Sequence, residues 1–134
     1  MKTLIPALLL AGLLATPALA QTTAFTLPEN RSGNVSYISG GVGDEERNEI
    51  RQREADFNLK LLFSERDGSY LTGVDVLLLN AKGETVLEVK SAGPFLLARV
   101  PAGRYTVKVS AKGQTQQGKL SLGAKGKQQT VFRW

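Results

Sequence analysis

The spacing of hydrophobic residues along this chain of 134 residues predicts mainly β structure in its second half. From residue 57 onward, apolar residues recur mostly at every second position, as in Phe57, Leu59 and Leu61 or in Tyr105 and Val107. This period is typical of strands that bury one face. Turn sequences rich in glycine interrupt the pattern about every ten residues. Residues 57–134 are therefore predicted to form a seven-stranded antiparallel β-sandwich.

A charged segment at residues 44–56 precedes these strands and predicts one short α-helix. Asp44 is expected to be its N-cap, and the acidic residues that follow favour the positive end of the helix dipole. Glu49 and Arg53 have the spacing of an ion pair on one helix face. Because Ile50 is one of very few apolar residues here, the helix is expected to lie on the surface. Residues 21–43 are polar and end in a glycine-rich turn, so we expect a flexible arm.

The first twenty residues have the three parts of a secretory signal peptide. Lys2 gives a basic start, an apolar run follows, and Ala18-Leu19-Ala20 matches a cleavage site. The apolar run is shorter than the roughly twenty residues that a membrane-spanning helix needs. We therefore expect cleavage after Ala20, a mature chain without a transmembrane segment, and export to the periplasm or, as an alternative, to the extracellular space.

Several short motifs in the predicted strands resemble those of a known family. These are G-V-D-V at residues 73–76, K-G-E-T-V at residues 82–86 and V-P-A-G-R-Y-T-V at residues 100–107. In this order they resemble the carboxypeptidase regulatory-like domains, and the resemblance implies a transthyretin-like (prealbumin-type) or immunoglobulin-like β-sandwich over residues 57–134. The usual D-x-x-G-x-F hairpin of that family is replaced by S-A-G-P-F at residues 91–95.

The segment at residues 37–46 and the final Phe132-Arg133-Trp134 resemble a group of small secreted proteobacterial proteins without an assigned activity. That resemblance implies a compartment and a fold and leaves the role open. The transthyretin-like hydroxyisourate hydrolases depend on histidines and on a different C-terminal tail. This chain contains no His, so that activity is excluded.

The composition excludes most familiar site chemistry. Without His or Cys there is no imidazole base, no thiolate nucleophile and no His or Cys metal ligand, and no calcium-loop pattern occurs. The carboxylates of residues 44–49 are expected to be solvated, which disfavours an acid–base pair. The turn at residues 40–43 precedes a helix, but the acidic residues there would repel a phosphate. We therefore predict no catalytic residue, no cofactor and no metal.

The charges are distributed unevenly along the chain. Residues 89–134 contain nine Lys and Arg residues and no Asp or Glu. Arg104, Lys108 and Lys112 have even spacing and are predicted to share the solvent face of one strand. Three explanations remain open: the acidic helix neutralises the basic half, an anionic partner binds it, or lysines at a sheet edge prevent aggregation. Nucleic acid is not expected, because the protein is exported and lacks interleaved basic and aromatic residues.

Trp134 has two interpretations. It is either a platform for a ligand or the residue that closes one end of the sandwich. The partner-binding residues predicted from the sequence are Arg104, Lys108, Lys112 and Trp134. We predict a non-enzymatic binding or accessory module of the cell envelope, whose partner is an envelope protein or an anionic component such as lipopolysaccharide or phospholipid headgroups. The alternatives are a structural subunit of an envelope complex and a hydrolase that uses carboxylates and Arg.

Overall fold

The computed structural model describes Gly12 and residues 26–134. The predicted signal peptide, apart from Gly12, and residues 21–25 of the predicted arm lie outside this part. The helix α1 spans Asp44–Arg53 and continues into a 3₁₀ turn at Glu54–Asp56. The strands are β1 (Asn30–Ser32), β2 (Val35–Gly40), β3 (Leu59–Ser64), β4 (Val74–Asn80), β5 (Thr85–Ala92), β6 (Phe95–Arg99), β7 (Gly103–Ala111), β8 (Gln114–Leu122) and β9 (Gln128–Arg133).

The strands form two sheets that pack face to face as a β-sandwich. The five-stranded sheet has the order β1-β2-β6-β3-β9, and the four-stranded sheet has the order β5-β4-β7-β8. The main core lies between them and includes Phe63, Leu78, Leu87 and Val107, all fully buried. The prediction of a mainly β sandwich with one short helix is confirmed, and residues 57–134 do contain seven strands, but the sandwich has nine in the described part of the chain because β1 and β2 join it.

The five-stranded sheet differs from the predicted structure in two ways. Residues 30–40, expected to belong to a flexible arm, form β1 and β2, and β2 pairs with β6 from Ser36 to Gly40. Val35 and Ile38 are buried there, which is too little apolar sequence to stand out as a strand. The last strand, β9, runs parallel to β3, so the sandwich is not purely antiparallel.

A second, smaller core lies between α1 and the outer face of the five-stranded sheet. Its members are Leu27, Ile38, Ile50, Phe57, Phe95 and Leu97. The strand β6 is therefore covered on both faces, which explains its unbroken apolar sequence. The expected surface helix does lie outside the sheets, but its Ile50 is buried and attaches it to the sandwich.

The helix begins differently from the prediction. Its N-cap is Gly43, and the carboxylate of Asp44 pairs with the side chain of Arg47 instead of capping the helix. The predicted ion pair between Glu49 and Arg53 is present, at 3.7 Å between Oε1 and Nη1. The carboxylate of Glu46 reaches back to accept a hydrogen bond from the backbone N–H of Val42 at 3.1 Å. The turn before α1 is thus occupied by the protein's own carboxylate.

Candidate functional site

Arg104 and Lys108 lie on the outer face of the four-stranded sheet, as the alternation of β7 predicts. Their neighbour Tyr105 points the other way and is buried in the main core. Its hydroxyl donates a hydrogen bond to the carbonyl of Pro101 at 2.6 Å. Burial raises the pKa of the Tyr105 phenol above its ordinary value. The buried residues of β7 therefore hold the two cations on the solvent side.

The placement of Lys112 on the same strand face is wrong. The strand β7 ends at Ala111, and Lys112 and Gly113 form the two-residue turn to β8, with φ values of 50° and 72°. Positive φ at both positions is typical of a type I′ hairpin turn, whose twist matches that of the strands. The side chain of Lys112 forms an ion pair with Glu65, which follows β3. Its charge is thus compensated at the end of the sandwich.

The strand β8 supplies a third cation that the sequence analysis did not select. In the register of the hairpin, Lys119 lies opposite Thr106, which places it diagonally beside both Arg104 and Lys108. Diagonal neighbours on one face of an antiparallel pair are within reach of long side chains. We call Arg104, Lys108 and Lys119 the basic face. Polar residues of β8 surround it, including Gln117 and Ser121.

None of the three cations of the basic face forms an ion pair with a carboxylate in the described part of the chain. Glu88 lies on the same sheet face but pairs with Lys90 at 3.5 Å. Three cations of residues 89–134 do have acidic partners, and these pairs are Lys90–Glu88, Arg99–Glu29 and Lys112–Glu65.

The carboxylates of α1 do not neutralise the basic half. No ion pair joins α1 to residues 89–134 within the described residues. Two cations of the basic half instead donate hydrogen bonds to backbone carbonyls of the 3₁₀ turn after α1. Arg99 donates to the carbonyl of Asp56 at 2.7 Å, and Lys127 donates to that of Ala55 at 3.4 Å. The helix packs on β6 through Ile50, but its carboxylates form no ion pair with residues 89–134, so the explanation by internal neutralisation is not supported, which leaves the anionic partner and the protected sheet edge.

Several hollows in the described part of the chain adjoin cations, and two of these have volumes near 500 Å³. One, of about 490 Å³, adjoins the basic face and is lined by Leu79, Asn80, Arg104 and Lys119 among others. The other, of about 500 Å³, surrounds Phe57 between the 3₁₀ turn and the loop before β9. In that second hollow the guanidinium of Arg99 already lies over the Phe57 ring, 4.7 Å from its centre, and is paired with Glu29. In the hollow beside the basic face, both lining cations, Arg104 and Lys119, are without an acidic partner in the described part of the chain.

Trp134 packs at one end of the sandwich. Its ring meets Phe63 edge-on at 6.2 Å between centres, and its indole N–H donates to the carbonyl of Gln114 at 3.4 Å. Its backbone N–H donates to the carbonyl of Ser64 at 3.0 Å, and its own carbonyl accepts from Arg66 at 2.8 Å. This arrangement favours the interpretation that Trp134 closes the sandwich and does not present its ring to a ligand.

The described part of the chain has no buried acidic side chain. The only buried polar residue in the described part of the chain is Ser64, so every Asp and Glu there is at least partly exposed. The Asp67 carboxylate accepts a hydrogen bond from the backbone N–H of Ser69 at 2.9 Å, which lowers its pKa in the way expected of a turn. General acid catalysis by a carboxyl group needs the opposite, a pKa raised by burial.

Within the described residues, no helix has both the length and the apolar character needed to span a membrane. No protein-family model matches this chain, and no match was found among curated proteins. The resemblance to carboxypeptidase regulatory-like domains therefore remains a prediction from the sequence.

Proposed function

We propose that this protein is an exported, non-enzymatic β-sandwich module that binds an anionic partner of the cell envelope through the basic face. The observation that carries the proposal is the grouping of Arg104, Lys108 and Lys119 on one sheet face without an acidic partner. The predicted signal peptide and the resemblance to small secreted proteins support the compartment. They do not identify the partner.

The electrostatics of the basic face explain why an anion would be favoured there. Two like unit charges about 8 Å apart repel each other by about 0.5 kcal/mol in water and by about 2 kcal/mol where the effective dielectric constant is near 20. Repulsion of this kind raises the free energy of the unbound protein at the basic face, and a bound anion would reduce it. The carboxyl-rich part of the chain, by contrast, has its own ion pairs, such as Arg53 with Glu29 at 3.1 Å.

The surface around the basic face fits a polar partner better than an apolar one. Gln117 and Ser121 on β8 and Ser110 on β7 give it hydrogen-bonding groups. The exposed large hydrophobic side chains of the described part lie elsewhere in the sequence, at Val42 before α1, Tyr70 before β4 and Val131 on β9. An interaction through the basic face is therefore expected to be electrostatic and to weaken as salt is added.

The test compares two triple variants with the same net charge. The first is Arg104→Gln with Lys108→Gln and Lys119→Gln. The control is Arg31→Gln with Lys82→Gln and Lys125→Gln, three exposed cations without ion pairs in the described part of the chain. Mature protein beginning at Gln21 is mixed with isolated envelope membranes over a salt series, and the bound fraction is measured.

We expect the wild type and the control to bind at low salt and to dissociate as ionic strength rises. The basic-face variant is expected to bind at least about tenfold more weakly, which corresponds to about 1.4 kcal/mol. Equal binding by both triple variants would show that only net charge matters and would contradict the proposal. Absence of wild-type binding at every salt concentration would contradict it as well.

A further inference from the structure

The four sheet edges of the sandwich differ in how well their backbone groups are covered. The edge strand β1 has three residues. The edge strand β5 has register shifts near both ends, and its Glu88 N–H donates to the Ser32 hydroxyl at 3.1 Å. On β9, the carbonyl of Arg133 accepts a hydrogen bond from the Gln116 side chain at 2.6 Å. Shortness, bulges and side-chain contacts of this kind are how proteins block strand addition at an edge.

The edge of β8 is long and regular, and the one side-chain contact to its backbone among the described residues is at its first residue, where the Gln114 carbonyl accepts from the Trp134 indole at 3.4 Å. It pairs with β7 over nine consecutive residues without a register shift. Because the hairpin closes with the Ala111–Gln114 pair, the residues whose backbone groups point away from β7 alternate from Thr115 onward. The hydroxyls of Ser110 and Thr115 lie 2.8 Å apart. Such close side chains are expected where the backbone groups of two paired residues do not hydrogen-bond to each other. The outward backbone groups thus belong to Thr115, Gln117, Lys119 and Ser121.

We propose that β8 is a docking edge for an extended acidic segment of a partner protein, which adds a strand to the four-stranded sheet. This inference rests on the proposed function, since it makes the anionic partner a peptide. Strand addition obtains affinity from main-chain hydrogen bonds and specificity from alternate side chains. The outward side chain of Lys119 lies on the edge itself, and Arg104 and Lys108 lie on the same face one strand further in. Acidic side chains at every second position of the added strand would meet these cations.

The opposite side of the same edge selects for apolar residues between the acidic ones. Leu120 and Leu122 of β8 are buried against the core. At Gly118 an added Cβ would lie 3.4 Å from the Phe132 ring, so the glycine leaves that ring close to the edge. The expected partner sequence therefore alternates acidic and small apolar residues. An edge lysine repels an apolar or basic strand but attracts an acidic one, so Lys119 protects the edge against aggregation and selects the partner at once.

The test uses a nine-residue peptide of alternating Glu and Val with blocked ends. A second peptide has the same charges but carries N-methyl groups on the backbone nitrogens that would face β8. Amide exchange of the mature protein is measured by NMR with and without each peptide. We expect the unmodified peptide to slow exchange at Thr115, Gln117, Lys119 and Ser121, and the N-methylated peptide to bind at least about tenfold more weakly.

A protein variant tests the same contact from the other side. Gln117→Pro removes one outward N–H and leaves the ladder to β7 intact, and proline is tolerated at such edge positions. It is expected to reduce peptide affinity by about tenfold, whereas Gln117→Ala is expected to leave it nearly unchanged. If the proline variant does not fold, as judged by Trp134 fluorescence, the N-methylated peptide still decides the question.

Four results would overturn the inference. Equal binding of both peptides, with loss of binding in the basic-face variant, would show an anion site without strand addition, and the proposed function would stand. Binding of anionic phospholipid vesicles without binding of the peptide would likewise replace the peptide by a lipid surface. A dimer of the free protein with Thr115 and Lys119 amides already protected would show that a second copy occupies the edge. Failure of both peptide and vesicles to bind at low salt would overturn the proposed function as well.

Discussion

Replacing Ile50 tests whether α1 is held to the sandwich by one buried side chain. Ile50 is 1% exposed and belongs to the small outer core with Ile38, Phe57 and Leu97. Truncation to Ala removes three carbon groups, worth about 2.4 kcal/mol at about 0.8 kcal/mol each. The cavity left behind adds to this, so we expect a total near 3 kcal/mol, within the range of about 2–5 kcal/mol for such changes.

The short helix cannot compensate for this loss by its own stability. A helix of ten residues is below the length of about 12–15 residues at which isolated helices become marginally stable in water. Ile50→Ala is therefore expected to destabilise the backbone hydrogen bonds of α1 at least as much as those of the main core. Ile50→Val, which leaves most of the side chain, is expected to cost about 1 kcal/mol.

The assay combines two readouts that report on different parts of the molecule. Native-state hydrogen exchange gives the opening free energy of the α1 amides. Urea unfolding followed by Trp134, which packs against Phe63, reports on the main core. Val42→Ala serves as the control, because Val42 is 64% exposed and its truncation is expected to change stability by less than about 0.5 kcal/mol. A loss below about 1 kcal/mol in Ile50→Ala, or unchanged exchange in α1, would refute this account of how the helix is attached.

Three further substitutions probe single contacts. Tyr105→Phe removes the hydrogen bond to the Pro101 carbonyl and is expected to lower the free energy of unfolding by about 1 kcal/mol at neutral pH. Because burial raises the pKa of Tyr105, its phenol contributes stability that the wild type loses as pH rises above 10.0, and the variant has no such contribution to lose. Urea unfolding should therefore show that the difference in unfolding free energy between wild type and variant becomes smaller at alkaline pH. Asn58→Ala removes two hydrogen bonds between the Asn58 side chain and the backbone of Val100, at 2.6 and 2.8 Å. It is expected to lower the free energy of unfolding by about 2 kcal/mol, as measured by urea unfolding. Lys112→Asn suits the positive φ of the turn and should raise thermal stability by about 0.5 kcal/mol, more at high salt.

Each of these expectations can fail in a distinct way. A gap between wild type and Tyr105→Phe that stays constant up to alkaline pH would show that the phenol does not titrate differently on folding. A cost below about 0.5 kcal/mol for Asn58→Ala would show that water replaces its two bonds. Destabilisation by Lys112→Asn even at high salt, where the ion pair with Glu65 is screened, would show that Asn does not favour the conformation of this turn.

The strands of the sandwich are the part of the fold that the sequence predicts well. In β7 the buried side chains of Tyr105, Val107 and Val109 alternate with polar ones, and the hairpin after it is marked by Gly113. The polar strand β8 lies at an edge of the four-stranded sheet. Alternation of this kind is visible because one face of each strand meets the core and the other meets water.

The contribution of residues 30–40 was not predictable from local pattern. Val35 and Ile38 are buried, but they face opposite sides of the sheet, so no run of alternating apolar residues marks the strand. The strand exists because β6 has an open edge beside it and because Leu27 and Ile50 cover its outer side. The parallel pairing of β9 with β3 also depends on the whole topology, since β9 crosses from one sheet to the other after β8.

The candidate site was predicted in part. Arg104 and Lys108 follow from alternation alone, and both lie where it places them. Continuing the same spacing to Lys112 was wrong, because two residues with positive φ end the strand there. Lys119 was missed because its position depends on the cross-strand register. The K-G pair at Lys112 and Gly113 was the available signal, since a two-residue turn centred on it would have aligned Lys119 with Thr106.

The position of α1 explains why the basic face is the surface on which a partner is expected. A sandwich of two sheets has two outer faces. The helix and Leu27 cover the outer face of the five-stranded sheet, and the cations on that side, such as Arg53 and Lys60, are paired with Glu29 and Glu54. The outer face of the four-stranded sheet has no such cover within the described residues. The basic face, whose cations have no acidic partners, lies beside the long edge of β8. A partner that binds at β8 can therefore form ion pairs and backbone hydrogen bonds at the same place.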